Sequence, residues 1–355
     1  MNPRLVNLPQ LKFKKNLVLF DVGHGECILI FDGMLKSFLV DCGALYSRKH
    51  LNVPRWIERI LPNNNSSGFV ISHYHIGHYN LFQCFKRPNF LFSNIYVPNL
   101  PTKGVNKHVS YVLMEFIAVA NVINFRNYRI LPDIFRRFKK TPIPLQKGDL
   151  IHEMGLSFRV FWPDPKHKAL NTKAIITKAK KLRKKIKPWI DKYEISIPDE
   201  DVSIAHFFGI LQELSLKEVP DFEETNKVEK TLSDLDGIFK ECCDLLSIGF
   251  QTQNGSLGNK FLFLGDLKNS ILNNIIITKN NFEYDFVKAS HHGTRFGRSL
   301  KNISTEFVLV SRNETEYPRI RKVHPGYYKK IRCRILLNTN FSRTCHIRGR
   351  SLFIN

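Results

Sequence analysis

The most informative stretch of the chain is Phe69-Val-Ile-Ser-His-Tyr-His-Ile-Gly-His78. It begins as a short apolar run, which predicts a buried strand, and it then presents three histidines within six residues. Histidines two positions apart on an extended segment project the same way, and a third one turn later can join them. Neutral imidazoles are good Zn²⁺ ligands, and three such ligands with an open position are typical of a catalytic site. His73, His75 and His78 are therefore candidate metal ligands.

Two later segments end in residues of the same chemistry. Phe261-Leu-Phe-Leu-Gly-Asp266 is an apolar run that delivers one carboxylate, and Val287-Lys-Ala-Ser-His-His-Gly293 delivers two histidines. An α/β sheet usually places its site at the carboxyl ends of its strands. Taken alone, Asp266 is equally well a turn residue, and His291 with His292 a helix-entry turn. Together with the earlier histidines, these residues predict one metal site.

Strand-like and helix-like segments alternate along the chain, which indicates an α/β layered fold. Residues 165–240 interrupt the alternation: residues 166–187 hold ten lysines and arginines with apolar residues at helical spacing, and residues 194–236 are acidic. This block predicts a basic amphipathic helix followed by an acidic stretch, inserted into a single domain spanning residues 1–355. The two parts of that domain are expected at residues 17–164 and 241–355. Strand-like segments occur at residues 17–20, 27–31, 37–40, 69–71, 95–97, 156–161, 245–250, 260–264, 286–288 and 307–310.

The charge of the chain points to an anionic partner. Its 355 residues include 54 Lys and Arg against 31 Asp and Glu, a formal charge of +23, and nucleic acid is the commonest cytosolic polyanion. A lysine-rich surface without such a partner is the alternative. The 43% hydrophobic content excludes wholesale disorder, and the apolar runs are too short for a membrane span. Seven scattered cysteines and an N-terminus without an apolar core of a signal peptide favour a cytoplasmic protein.

In this order the motifs resemble those of the metallo-β-lactamase-fold superfamily. They are most similar to the branch containing the metallohydrolase domain of bacterial competence (DNA-uptake) proteins. The superfamily cleaves lactams, thioesters, lactones and phosphodiesters on one scaffold, so the motifs identify a fold more sharply than a substrate. The resemblance covers about residues 17–330 apart from the inserted block. Its motifs are Phe20-Asp-Val-Gly-His-Gly-Glu26, Leu39-Val-Asp-Cys-Gly43, Ser72-His-Tyr-His-Ile-Gly-His78, Phe263-Leu-Gly-Asp266 and Lys288-Ala-Ser-His-His-Gly293, with a weaker match at Asn313 and His324-Pro325.

The resemblance implies a four-layer αβ/βα sandwich with metals at one edge. It implies that His73 and His75 hold a first metal, that His78 and either His291 or His292 hold a second, and that Asp266 bridges them. Asp41 would orient the histidine loop from behind the ligands, and His24 would lie near the site. Zn²⁺ is the expected metal, as one or two ions, with Mn²⁺ or Fe as alternatives. The expected catalytic residues are His78, Asp266, His292 and His324.

Two departures from the family pattern bear on the site. Gly77 stands where the family has an aspartate that ligates the second metal. The family's middle histidine, expected between His78 and Asp266, has no counterpart in a convincing motif. A mononuclear site, a site for Mn²⁺ or Fe, and a loss of catalysis are therefore all open. The unassigned histidines in that interval are His108, His152, His167 and His206.

The expected function is that of a metal-dependent phosphodiesterase or nuclease, acting on nucleic acid through a metal-bound hydroxide. His291, His292 or His324 would protonate the leaving oxygen. Two alternatives are a hydrolase of a small anionic phosphoester or cyclic nucleotide, and a catalytically degenerate scaffold that binds nucleic acid or a partner protein. The residues expected to contact nucleic acid are Lys180, Lys181, Arg183, Lys184, Lys185, Lys288, Arg295 and Arg298, with the basic run at residues 319–330.

Overall fold

A computed structural model gives the fold of the chain. It describes residues 4–7, 16–23, 25–32, 36–44, 50, 52–60, 67–86, 92–102, 107–167, 172–198, 202–253, 259–274, 283–312, 322–339, 345–348 and 351–354. The strands of this part of the chain are β1 (Arg4–Asn7), β2 (Asn16–Leu19), β3 (Glu26–Asp32), β4 (Lys36–Gly43), β5 (Ser67–Val70), β6 (Phe92–Pro98), β7 (Pro142–Leu145), β8 (Leu150–Glu153), β9 (Leu156–Trp162), β10 (Gly249–Thr252), β11 (Phe261–Phe263), β12 (Glu283–Lys288), β13 (Ser304–Val310), β14 (Arg332–Asn338), β15 (Cys345–Arg348) and β16 (Ser351–Ile354).

The helices connect these strands and cover them. They are α1 (Asn52–Ile60), α2 (Lys107–Val122), α3 (Ile130–Phe138), α4 (Lys173–Lys192), α5 (Ile204–Ser215), α6 (Phe222–Leu245), α7 (Asn269–Asn274) and α8 (Gly326–Lys329). Within the described ranges, no helix is both long enough and apolar enough to cross a bilayer.

The strands form two sheets. The first has the order β1-β16-β15-β2-β3-β4-β5-β6-β7, and the second has the order β14-β13-β12-β11-β10-β9-β8. Strands β4 to β7 pair in parallel in the first sheet, and β11 to β14 pair in parallel in the second. Each sheet therefore has a parallel half, whose strands deliver the loops after their carboxyl ends to one edge.

The alternation of side chains along the strands separates two hydrophobic clusters. In β12, Phe286 belongs to a cluster formed by strand residues of both sheets, which lies between them. Its neighbour Val287 belongs to the larger cluster, which also holds apolar residues of α2, α6 and α7 on the outer faces. Adjacent strand residues point to opposite faces, so each sheet is buried on both sides. The four-layer αβ/βα sandwich expected from the sequence is confirmed.

The interrupting block is helical. The basic segment forms α4, in which Ile175, Ala179, Leu182 and Ile186 are buried, as the helical spacing predicted. The acidic segment forms α5 and α6. Helix α6 continues to Leu245, so the strand expected from residue 245 begins only at Gly249. Three helices in sequence therefore lead from β9 back to β10, and the last of them ends beside the candidate metal ligands described next.

Candidate metal centre

Three loops bring the candidate ligands together. The histidine loop follows β5, Asp266 follows β11, and the His291–His292 turn follows β12, so all three leave the carboxyl ends of parallel strands. The Oδ2 atom of Asp266 lies 3.8 Å from Nε2 of His73, 3.8 Å from Nε2 of His78 and 3.9 Å from Nε2 of His292. These four side chains are buried. Three imidazoles thus surround one carboxylate oxygen at the edge of the sandwich.

The other ring nitrogen of each of these histidines is held by the protein. Nδ1 of His78 lies 2.8 Å from Oδ2 of Asp41, and Nδ1 of His73 lies 3.1 Å from the hydroxyl oxygen of Ser72. Nδ1 of His292 lies 2.9 Å from the carbonyl oxygen of Ser311. Such contacts orient an imidazole and leave Nε2 for a ligand. Asp41 also accepts hydrogen bonds from the amide and the hydroxyl of Ser72, so it stands behind the histidine loop, where it was expected.

The donor set fits a transition metal. Among the described residues, Nε2 of His75 and Oδ1 of Asp266 are buried without any hydrogen-bond partner. A buried polar atom without a partner costs free energy, so two of them in one cluster of imidazoles and carboxylates indicate a binding site for a cation. In the described part of the chain, ligand atoms within 4.8 Å of one another occur in three sets: His73 with His75 and His78, His78 with Asp266 and His292, and His73 with Asp244 and Asp266.

The protonation states suit metal binding for most of the cluster. Burial, with the neighbouring positive groups, holds the pKa of His73 and His75 well below the ordinary value, so both rings are neutral. Burial alone would lower the pKa of His78, but the Asp41 carboxylate raises it to about 9. Burial alone would raise the pKa of Asp266, but His291 and the other imidazoles hold it well below its usual range. A lowered pKa favours the ionised form of Asp266, which can serve as a metal ligand.

The backbone of the site is strained. His291 and His292 have φ angles of 47° and 54°, and Asp41 has a φ of 55°. Non-glycine residues rarely adopt this left-handed conformation, and such residues cluster at functional sites. Gly265, just before Asp266, has a φ of 48°, and a Cβ atom there would lie 2.3 Å from the Ser247 hydroxyl oxygen. Only glycine fits that position.

The structure distinguishes the three histidines proposed for proton transfer or second-metal binding. His292 contributes to a ligand set, whereas His291 lines the adjoining cavity and belongs to none of the sets formed by described residues. The ring of His324 stacks on Phe296, its Nδ1 accepts a hydrogen bond from the amide of Gly326, and its own amide donates to the carbonyl oxygen of Gly293, next to His292. His324 is not among the described residues that line the cavity. His24 and Asn313 lie outside the described residues.

Lys288 does not lie on the surface, where a nucleic-acid contact would need it. Its side chain is 3% exposed, and its ammonium lies 2.6 Å from Oε2 of Glu26, which is 1% exposed. The physical reason is that side chains alternate between the two faces of a strand. Lys288 therefore shares the inward face of β12 with Phe286 and points between the sheets. The expectation of a phosphate contact at this residue does not fit its position.

The other predicted basic residues differ in exposure. Lys180, Lys181, Lys184 and Lys185 are exposed on α4, and Arg298 is exposed after the His291–His292 turn. Arg183 is also exposed, but its guanidinium lies 3.0 Å from Glu115. Arg295 lines the cavity beside the ligands, where it binds Asp244 at 2.6 Å and the carbonyl oxygen of Asp266 at 2.5 Å.

The cavity beside the ligands has a volume of about 360 Å³. The end of α6 forms one wall of it, which sequence reasoning does not foresee, since the apolar run from residue 245 predicts a strand there. Asp244 is the important residue that this prediction misses, together with Ser247, whose hydroxyl accepts a hydrogen bond from the amide of Asp266. The lining residues are His73, His75, Gly237, Lys240, Glu241, Asp244, Asp266, Lys268, His291, His292 and Arg295.

Gly77 lies in a 3₁₀ turn at Ile76–His78 and does not have a positive φ. The absence of a side chain there is therefore not required by a left-handed backbone. The backbone conformation therefore does not explain why this position lacks the aspartate of the family pattern.

Comparisons with known proteins give little beyond this geometry. No family model matches the chain, and no curated protein matches it. Solved structures that match include a mutant of the CmlA beta-hydroxylase, with 12% sequence identity and a TM-score of 0.33. The match covers 79% of this chain but only 36% of that one, so the chain spans about a third of the length of that structure. We draw no conclusion on function from so distant a likeness.

Proposed function

We propose that the protein is a metal-dependent hydrolase of phosphodiester bonds, with nucleic acid as its substrate. The observation that carries the proposal is the convergence of His73, His78, His292 and Asp266, with the unpartnered buried atoms of His75 and Asp266, beside a cavity that also presents three basic side chains. The resemblance of the sequence motifs to the metallo-β-lactamase-fold superfamily, and to its competence branch, supports the same reaction class.

The first group of site residues would bind the metal. His73, His75, His78, His292 and Asp266 would hold one or two ions. Zn²⁺, Mn²⁺ or Fe held there would supply Lewis acidity and would lower the pKa of bound water to about 7.

The basic residues at the cavity bind the substrate's charge. Lys240, Lys268 and Arg295 line the cavity and are ion-paired with Asp236, Glu241 and Asp244, and their remaining N–H donors would bind the phosphate oxygens. His291, which lines the same cavity without joining a ligand set, donates a proton to the leaving oxygen. His292 and His324 remain the alternative proton donors.

The charge outside the cavity favours a long anionic substrate. Glu241 on α6 binds Lys178 of α4 and Lys268 of the cavity, each at 2.5 Å. Helix α4, which carries the exposed lysines, is thus linked through Glu241 to Lys268 at the cavity. A nucleic-acid backbone lying along them would keep its scissile phosphate at the ligands.

A small anionic phosphoester or cyclic nucleotide is the second candidate substrate. The wall that α6 forms beside the ligands favours it, because cavities of about 300–1,000 Å³ suit small molecules. A catalytically inactive nucleic-acid-binding or protein-binding scaffold is the third alternative.

The experiment that tests the proposal compares substrates under metal supplementation. Full-length protein with added Zn²⁺, Mn²⁺ or Fe²⁺ is incubated with labelled single- and double-stranded DNA and RNA, with cyclic nucleotides and with bis-p-nitrophenyl phosphate. We expect cleavage of a nucleic acid that His73→Ala abolishes and that His152→Ala, which changes a histidine outside the cavity lining, leaves intact. Cleavage of cyclic nucleotides alone would favour the second candidate. No cleavage of any substrate by metal-loaded protein would overturn the proposal.

A further inference from the structure

One carboxylate at the metal centre belongs to none of the sequence motifs. Asp244 is the penultimate residue of α6, the last helix of the inserted block. A ligand atom of its side chain lies within 4.8 Å of ligand atoms of both His73 and Asp266. Asp244 is buried, with 6% exposure, and lines the cavity. Its side chain is thus delivered to the ligands by an element from outside the two parallel half-sheets.

We propose that Asp244 is the additional ligand of the first metal, together with His73, His75 and Asp266. This inference rests on the proposed metal centre and names a ligand that the sequence did not reveal. None of the four histidines between His78 and Asp266, all of them described, joins a ligand set, whereas Asp244 of the same segment does. Carboxylate oxygens, like imidazole nitrogens, are ordinary ligands of Zn²⁺ and Mn²⁺.

A second observation points to a cation at this set. The Oδ1 atom of Asp266 is buried and, within the described part of the chain, has no hydrogen-bond partner, and it belongs to the same three-residue set. Two carboxylates in one buried set repel each other unless a positive charge lies between them.

Arg295 acts as a positioning residue for this carboxylate. It binds Oδ2 of Asp244 with one guanidinium nitrogen and the carbonyl oxygen of Asp266 with the other. It thereby ties the end of α6 to the loop that carries Asp266. The ordinary structural alternative is that Asp244 serves only as the counter-ion of Arg295. The two interpretations differ in what removal of the carboxylate does to the metal.

The test measures metal binding, not turnover. Apo-protein is titrated with Zn²⁺ and with Co²⁺ alone, the affinity is obtained by competition with a chelator, and the Co²⁺ absorption spectrum is recorded. We expect Asp244→Asn to weaken the binding of one ion by at least about tenfold, as substitutions around a metal site do, and to change the Co²⁺ spectrum. Arg295→Gln breaks the same ion pair but keeps the carboxylate, so we expect it to retain the number of bound ions with a smaller loss of affinity.

A second carboxylate of α6 provides the control variant. Asp236→Asn removes a carboxylate of α6 that is ion-paired with Arg126 and Lys240 outside the ligand sets, so its metal binding should match the wild type. If Asp244→Asn does not fold, Asp244→Glu keeps the charge and should still change the Co²⁺ spectrum. Equal metal affinities for the Asp244→Asn and Arg295→Gln variants, or an unchanged spectrum, would overturn the inference.

Different experimental results would refute the inference and the proposed function. Wild-type protein that binds metal through Asp244 but cleaves no phosphodiester would refute only the function. Protein that cleaves nucleic acid while Asp244→Asn keeps both metal affinity and spectrum would refute only the ligand. A wild-type protein that binds neither Zn²⁺ nor Co²⁺ would refute the ligand as well as the metal centre.

Discussion

At the scale of single residues, the buried ion pair of Glu26 and Lys288 connects the two sheets close to the site. Glu26 is the first residue of β3 and Lys288 is the last residue of β12, immediately before the turn that carries His291 and His292. Burial raises the pKa of Glu26 to about 7 even though Lys288 opposes the shift. A pair of this kind contributes little to stability by itself, but it makes the loss of either partner costly.

We predict that Lys288→Met lowers the free energy of unfolding by about 3–5 kcal/mol, because it leaves the Glu26 carboxylate buried without its counter-ion. Denaturation by urea measures the change. The double variant Glu26→Gln with Lys288→Met should recover part of the loss. Lys301→Met, at an exposed lysine, should change stability by no more than about 0.5 kcal/mol. A loss below about 1 kcal/mol for Lys288→Met would show that the pair is not buried as described.

At the scale of elements, α4 and α6 supply charged residues near the entrance to the site. Helix α4 carries exposed lysines on its outer face, and α6 ends at the ligands. Lys178 of α4 reaches Glu241 of α6, which also binds Lys268 at the cavity. The inserted block is therefore part of the site, although the ligand motifs lie on either side of it in the sequence.

We predict that changing Lys180, Lys181, Lys184 and Lys185 to Glu weakens nucleic-acid binding and its salt dependence. For duplex DNA, the slope of log K against log salt should become shallower by about 0.9 for each phosphate that the protein no longer neutralises. Four such changes of −2 each lower the formal charge from +23 to +15. Binding measured by fluorescence anisotropy over a range of salt concentrations gives the slope.

The matched control has the same net charge. It changes four other exposed lysines, Lys139, Lys166, Lys260 and Lys301, to Glu. We expect a smaller change of slope for the control, because these residues do not lie on α4. Equal slopes for the two variants would show that α4 contributes only to the overall charge and is a solvated surface.

At the scale of the whole molecule, the sequence predicted the layered fold and the main ligand cluster. Both depend on local patterns: apolar runs mark the strands, and ligand-type residues follow three of them directly. The features that the sequence did not reveal depend on how the elements pack. Asp244 reaches His73 only because α6 ends beside the sheet edge, and Lys288 is buried because β12 lies in the middle of a sheet. The apolar neighbours of Lys288 at alternate positions were the available signal, whereas no local pattern marks Asp244 as a ligand.

The central claim is that this cluster of histidines and Asp266 is a metal centre, and elemental analysis of purified full-length protein tests it most directly. We predict about one or two transition-metal ions per chain, and their loss in His73→Ala with His75→Ala. The control, His152→Ala with His167→Ala, changes two histidines outside the cavity lining and should keep the wild-type content. Wild-type metal content in the folded His73→Ala, His75→Ala variant, or no metal in wild-type protein after reconstitution, would contradict the account.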